Sequence, residues 1–95
     1  MNGIDPDQLR TGLIHVDPTG KTRWVNRAAA DLLDSRPEAL TGKRLGDYCS
    51  PLDRLRQRAE RIDGPLSVSE AHILPRGPVL DLFIRIEDDG CYFEM

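Results

Sequence analysis

Asn26 stands between a run of β-branched and aromatic residues, Thr22-Arg23-Trp24-Val25, and an alanine-rich run, Arg27-Ala28-Ala29-Ala30-Asp31-Leu32-Leu33. Asparagine is among the strongest helix N-caps, because its side-chain oxygen accepts an orphan N–H of the first turn. The position therefore marks a junction from strand to helix. The alanines favour helix, and Ala28, Ala29, Leu32 and Leu33 share one face at spacings of three and four. Upstream, Gly12-Leu13-Ile14-His15-Val16-Asp17 favours a strand. Pro18-Thr19-Gly20-Lys21 is turn chemistry, with proline presetting one φ and Gly20 supplying a positive one. Residues 12–33 thus read as a β-hairpin feeding a capped helix.

The rest of the chain extends this pattern. Pro37-Glu38-Ala39-Leu40 suits a single helical turn, which Gly42 ends. Ser50-Pro51 is a start signal for a longer helix, with serine as cap and proline at the first helical position. Leu52, Leu55, Ala59 and Ile62 form its apolar stripe, and Arg54, Arg56, Arg58, Glu60 and Arg61 its wet face. Gly64-Pro65 stops it. Residues 66–74 alternate imperfectly, and Arg76-Gly77-Pro78 is a turn. From Val79 to Glu87 the alternation is clear: Leu80, Leu82, Ile84 and Ile86 face one way, and Val79, Asp81, Phe83, Arg85 and Glu87 the other. Asp88-Asp89-Gly90 is a second hairpin turn into Cys91-Tyr92-Phe93-Glu94-Met95. The predicted order is β-β-α-α-α-β-β-β, an α+β architecture with a five-stranded antiparallel sheet and helices packed on one face.

Composition narrows the function. The chain has 95 residues, 39% hydrophobic and 31% charged, which suits one soluble globular domain. A net charge of −3 speaks against phosphate-neutralising nucleic-acid binding. Residues 1–10 are polar and lack a signal-like apolar core, and no run reaches membrane-spanning length, so no membrane partner is expected and the expected compartment is the cytoplasm. Cys49 and Cys91 are compatible with two buried thiols or one disulfide; a chain without a secretory signal favours free thiols. The sequence stops inside an apolar strand-like run, from which we expect an N-terminal fragment of a longer signalling protein.

The ordered segments Asp17-Pro18-Thr19-Gly20, Thr22 to Asn26, Arg27-Ala28-Ala29-Ala30 and Leu32-Leu33 resemble the start of a PAS domain. Leu40-Thr41-Gly42-Lys43-Arg44-Leu45 resembles the later PAS glycine between a leucine turn and the next helix. The resemblance covers about residues 9–95, and residues 1–95 are read as a single domain of this kind. More narrowly, the chain is similar to the N-terminal PAS domain of nitrogen-regulation sensor histidine kinases of the NtrB type. Three features carry this: the early start of the motif, the Ser69-Glu70-Ala71-His72-Ile73 strand with its Arg76-Gly77-Pro78 turn, and the Asp88-Asp89-Gly90 turn into the closing strand. This resemblance implies a cytoplasmic, homodimeric two-component kinase acting in signal transduction. Its catalytic region lies downstream, so the chain itself is expected to be no enzyme. His15 and His72 lack phosphoacceptor surroundings.

Cofactor use is not expected. Flavin-binding PAS domains place a reactive cysteine near the position of Cys49, but Asp47-Tyr48-Cys49-Ser50-Pro51 lacks their Asn-Cys-Arg-Phe pattern. Haem-binding members place a ligating histidine on the long helix, and residues 51–63 contain none. Asp17, Gly20, Asn26 and Gly42 are read as structural. Asp81, Glu87, Asp88 and Asp89 converge on no base or nucleophile and are read as solvated charge. One sheet face must pack on the helices. The other would carry His15 or Trp24, Val79 and Phe83, an apolar patch that suits a symmetric dimer interface, joined by residues 5–10. The rival reading is a PAS domain holding a ligand or cofactor between sheet and helices.

Overall fold

The computed structural model describes residues 11–95. It contains strands β1 (Leu13–Val16), β2 (Thr22–Val25), β3 (Leu66–Ala71), β4 (Leu80–Glu87) and β5 (Gly90–Glu94). Between β2 and β3 lie α1 (Arg27–Leu32), α2 (Pro37–Leu40), α3 (Leu45–Tyr48) and α4 (Ser50–Ile62). The strands form one sheet in the order β2-β1-β5-β4-β3, and each neighbouring pair runs antiparallel. The five-stranded α+β architecture read from the sequence is therefore the one observed.

Alternation places the core. Ile14 and Val16 of β1, Leu82 and Ile84 of β4, and Cys91 and Phe93 of β5 point inward and are buried. They meet Leu45, Leu52 and Ala59 from the helices. Each large side chain in this layer contributes about 1.5–3 kcal/mol against exposure. The irregularity of residues 66–74 is a bulge between Val68 and Ala71. Glu70 adopts φ 55° there, and its N–H donates to Asp81 Oδ1 at 3.1 Å. Asp81 is therefore engaged by the backbone, not merely solvated.

Four features depart from the sequence reading. α3 is an additional helix, so the order is β-β-α-α-α-α-β-β-β. Four residues carry no periodic signal, and the turn exists because Leu45 is fully buried beneath it. The cap of α4 is Cys49, with Ser50 and Pro51 in its first turn. The Cys49 thiol donates to the Ile73 carbonyl at 3.5 Å, so burial and not a hydroxyl fixes where α4 starts. In α1 the buried pair is Ala29 and Ala30. A β-carbon on Gly12 would stand 3.0–3.2 Å from Ala29, so close approach to β1 sets the helix rotation. In α4, Leu52 and Ala59 are buried while Ile62 is 55% exposed.

The β4–β5 turn depends on Gly90, at φ 133°. A β-carbon there would fall on the Val16 carbonyl oxygen and lie 2.9 Å from Asp17 Cα. At Gly42 the φ is also positive, 90°, but the space beside it is open. Gly90→Ala should therefore cost about 2–4 kcal/mol in urea denaturation, and Gly42→Ala about 1–2 kcal/mol. Equal losses would show that backbone preference, not the contact with β1, governs Gly90.

Candidate functional site

Asp17, Gly20 and Gly42 work as one clasp at the sheet edge. Asp17 Oδ1 accepts from the Thr19 hydroxyl at 2.6 Å, the Thr19 N–H at 2.9 Å and the Lys21 N–H at 3.1 Å. The Thr19 hydroxyl leads the effects that hold this carboxyl below its ordinary range. Gly20, at φ 92°, leaves room for the Arg56 guanidinium, which would stand 3.3 Å from a β-carbon there. The loop at Gly42 then covers β2. Gly42 N–H donates to the Thr22 carbonyl and Thr22 N–H to the Lys43 carbonyl, both at 2.8 Å. These bonds satisfy the Thr22 backbone groups at the start of an edge strand, where they would otherwise be free.

Asn26 is wholly buried. Its Oδ1 accepts two N–H groups, from Leu13 at 2.9 Å and from Ala29 at 3.0 Å. Its Nδ2 donates to the Thr11 carbonyl at 2.9 Å, and its own N–H donates to the Leu13 carbonyl at 3.0 Å. One side chain thus caps α1 and ties it to the start of β1. Asn26→Ala should destabilise the fold by about 2–4 kcal/mol in urea titration, from the lost cap and the unpaired groups it leaves. Asn26→Asp should also destabilise, because a carboxylate oxygen would replace the donor facing the Thr11 carbonyl. A loss below about 1 kcal/mol for Asn26→Ala would contradict this role.

The other face of the sheet is built by register. Trp24 pairs with His15, His15 with Tyr92, and Tyr92 with Arg85, so four side chains cross β2, β1, β5 and β4 in one row. The His15 and Tyr92 rings stack at 4.3 Å with planes 3° apart, and the Arg85 guanidinium carbon lies 4.9 Å from the Tyr92 centroid. His15 Nε2 is 3.0 Å from the Asp89 carbonyl oxygen. The Tyr92 hydroxyl donates to Asp89 Oδ2 at 2.6 Å, which leads the effects lowering the Asp89 carboxyl and raising the Tyr92 hydroxyl. A second row sets Leu13 beside Glu94 and Glu94 beside Phe83. Trp24 is 37% exposed and Phe83 38%.

The structure therefore joins His15, Trp24 and Phe83 on one surface. Val79, 49% exposed, lies in the connection before β4, outside the two rows. Tyr92, Arg85 and Asp89 were not among the expected patch residues. Arg85 was legible as outward from the alternation of β4, but its meeting with Tyr92 depends on strand order. Asp89 and Glu87, read as solvated, are partnered: Glu87 Oε2 lies 2.9 Å from Arg85 Nε.

A family model described as PAS fold matches residues 7–78. The chain belongs to the PAS fold family. Among solved structures, the PAS domain of the histidine kinase ThkA superposes with a TM-score of 0.76 at 14% identity, covering 88% of this chain and 95% of that one. The photoactive yellow protein domain of the sensor histidine kinase Ppr from Rhodospirillum centenum gives 0.66 at 21% identity, covering 94% and 92%. A domain of an HTR-like protein from Haloarcula marismortui gives 0.64 at 19%, covering 90% and 93%. At these identities the likeness is one of fold. No curated protein matches the chain.

The PAS interior holds Phe93, Ile14, Leu52 and Ile84, each with 1% or less exposure. Among the described residues no buried side-chain nitrogen or oxygen lacks a partner, and no cluster of His, Cys, Asp or Glu is arranged to hold a metal. Thr22 and Tyr48, whose oxygens lie 2.7 Å apart, satisfy each other. No helix among them is long and apolar enough to cross a membrane. Cys49 and Cys91 are free and buried. Burial raises both thiols, Cys91 to about 12. Neither should react with Ellman's reagent at about pH 8 until urea unfolds the chain. Because the folded Cys91 pKa lies above its unfolded value, its contribution to stability is intact below pH 9 and falls as pH rises toward 12. Prompt labelling of the native protein would contradict the burial.

Proposed function

We propose that the chain is the cytoplasmic regulatory PAS domain of a two-component sensor histidine kinase of the nitrogen-regulation type, acting in dimerisation and signal relay. The observation that carries this reading is the outer sheet face. The inner face is covered by helices, while Trp24 and Phe83 each remain more than a third exposed on the other side. Aromatic groups held on a rigid sheet are suited to a self-complementary interface, since little side-chain entropy is lost on docking. The row from Trp24 to Arg85 joins four strands, so a shift at this interface would be shared by most of the sheet. A change in dimer geometry would then reach the downstream kinase region of the same chain.

The kinase association has support from ThkA and Ppr, two histidine kinases whose domains share this fold. The nitrogen-regulation assignment rests on the sequence resemblance alone. Residues 5–10, expected to join the interface, lie outside the described residues. The ligand-sensing reading draws no support from the interior, where the described polar side chains are already satisfied. His15 is committed to Tyr92 and Asp89, and we assign no phosphotransfer to it.

Sedimentation velocity at about 100 μM should show a dimer, and Trp24→Glu or Phe83→Glu should weaken it by about 10- to 100-fold with unchanged circular dichroism. The chain incubated with labelled ATP should not label itself. A wild-type monomer at that concentration, or dimers indifferent to both substitutions, would overturn the assignment of this face.

A further inference from the structure

Helix α4 carries four arginines and two acidic residues in a chain of net charge −3. Both acids are engaged by one arginine. Arg56 Nη2 lies 2.9 Å from Asp53 Oδ1, and its Nη1 lies 3.0 Å from Glu60 Oε1. Burial would lower the Arg56 pKa, but the bond and charge of Asp53, with help from Glu60, raise it overall. Arg56 is thus not part of the wet face expected from the sequence. Arg54, Arg58 and Arg61 are exposed, and their side chains make no ion pair or hydrogen bond among the described residues.

These three arginines share a flank with apolar side chains. At about 100° per residue, Arg61, Arg54, Arg58, Ile62 and Leu55 follow one another within an arc of about 120°. Ile62 is 55% exposed, more than Trp24, Phe83 or Val79. Leu55 is half-buried and lines an open groove of about 260 Å³, which also takes in Arg54 and reaches Val68 of the edge strand β3. A basic helix face in water is ordinary. Here it borders an exposed isoleucine and a groove, while the acids of the same helix are already used.

We propose that this flank docks an acidic amphipathic helix of a partner protein. Carboxylates one helical turn apart on the incoming helix match arginines at the same spacing, and each guanidinium can grip a carboxylate through two N–H groups. Apolar side chains beside those carboxylates would cover Leu55 and Ile62 and enter the groove, the mode in which amphipathic helices are commonly bound. A nucleic acid or an anionic membrane would use the arginines alone, and the acidic balance of the chain opposes both. The flank lies on the helical side of the domain, so it remains open in a dimer formed through the sheet.

The probe is a synthetic helical peptide with Glu at i, i+4 and i+7 and Leu along the adjoining stripe, titrated into the isotopically labelled 95-residue chain and followed by NMR. Amide shifts should concentrate in α4 and β3. Affinity should fall about tenfold or more when the peptide carries Gln for Glu, when the protein carries Arg54→Glu, Arg58→Glu and Arg61→Glu together, or when salt rises from about 50 to about 300 mM. Ile62→Asp, which keeps every arginine, should also weaken binding. Absence of shifts, indifference to the charge reversals, or binding only of an oligonucleotide or of phosphatidylserine vesicles would overturn the proposal.

Discussion

A primary amide buried without partners would be among the costliest groups in a small domain, so the placement of Asn26 constrains everything around it. Its oxygen receives one N–H from Leu13 of β1 and one from Ala29 of the helix after it. Those two donors belong to different elements, so the shared oxygen ties the hairpin to the helix. The same bond pattern seats Ala29 against Gly12, where a larger residue in either place would force the helix away. The first hairpin and α1 are therefore oriented before the remainder of the sheet is considered. β5 then pairs with the free side of β1, and β4 and β3 follow outward.

The consequence for function is a sheet with two unlike faces. The inner face is occupied by packed apolar side chains, and among the described residues no buried side-chain nitrogen or oxygen lacks a partner. The outer face presents stacked and semi-exposed rings held in register by backbone bonds. The domain holds this surface in a fixed geometry. Its cysteines are enclosed, with burial raising both thiols, and its histidine on the outer face is fixed between a tyrosine ring and a turn carbonyl. The proposed dimer would use this fixed surface, leaving the helical side for other contacts.

Features encoded locally were legible in the sequence. The Asp17–Gly20 turn, the Asn26 cap and the alternation of β4 each depend on neighbours a few residues away, so composition and period reveal them. What escaped was long-range. α3 is too short to have a period and is held by the burial of Leu45. Arg56 lies on the polar side of α4 by its spacing, yet its side chain reaches the turn at Gly20, which only the folded chain brings near. Ile62 fits the apolar stripe by count but stands at the end of a helix that has left the core. Tyr92 could not be paired with His15 until the strand order was known. The outer patch was anticipated through His15, Trp24 and Phe83, whereas Val79 falls outside the rows because it precedes the strand.

The central claim is that the Asn26 side chain makes hairpin and helix a single cooperative unit on which the outer face is mounted. Native-state hydrogen exchange at the Leu13 and Ala29 amides, the two that share its oxygen, tests this directly. Both should exchange only through global unfolding, with the same free energy and the same dependence on urea as the β4 and β5 core amides. Exchange of either amide through a local opening, at a free energy well below the global value and independent of urea, would contradict it.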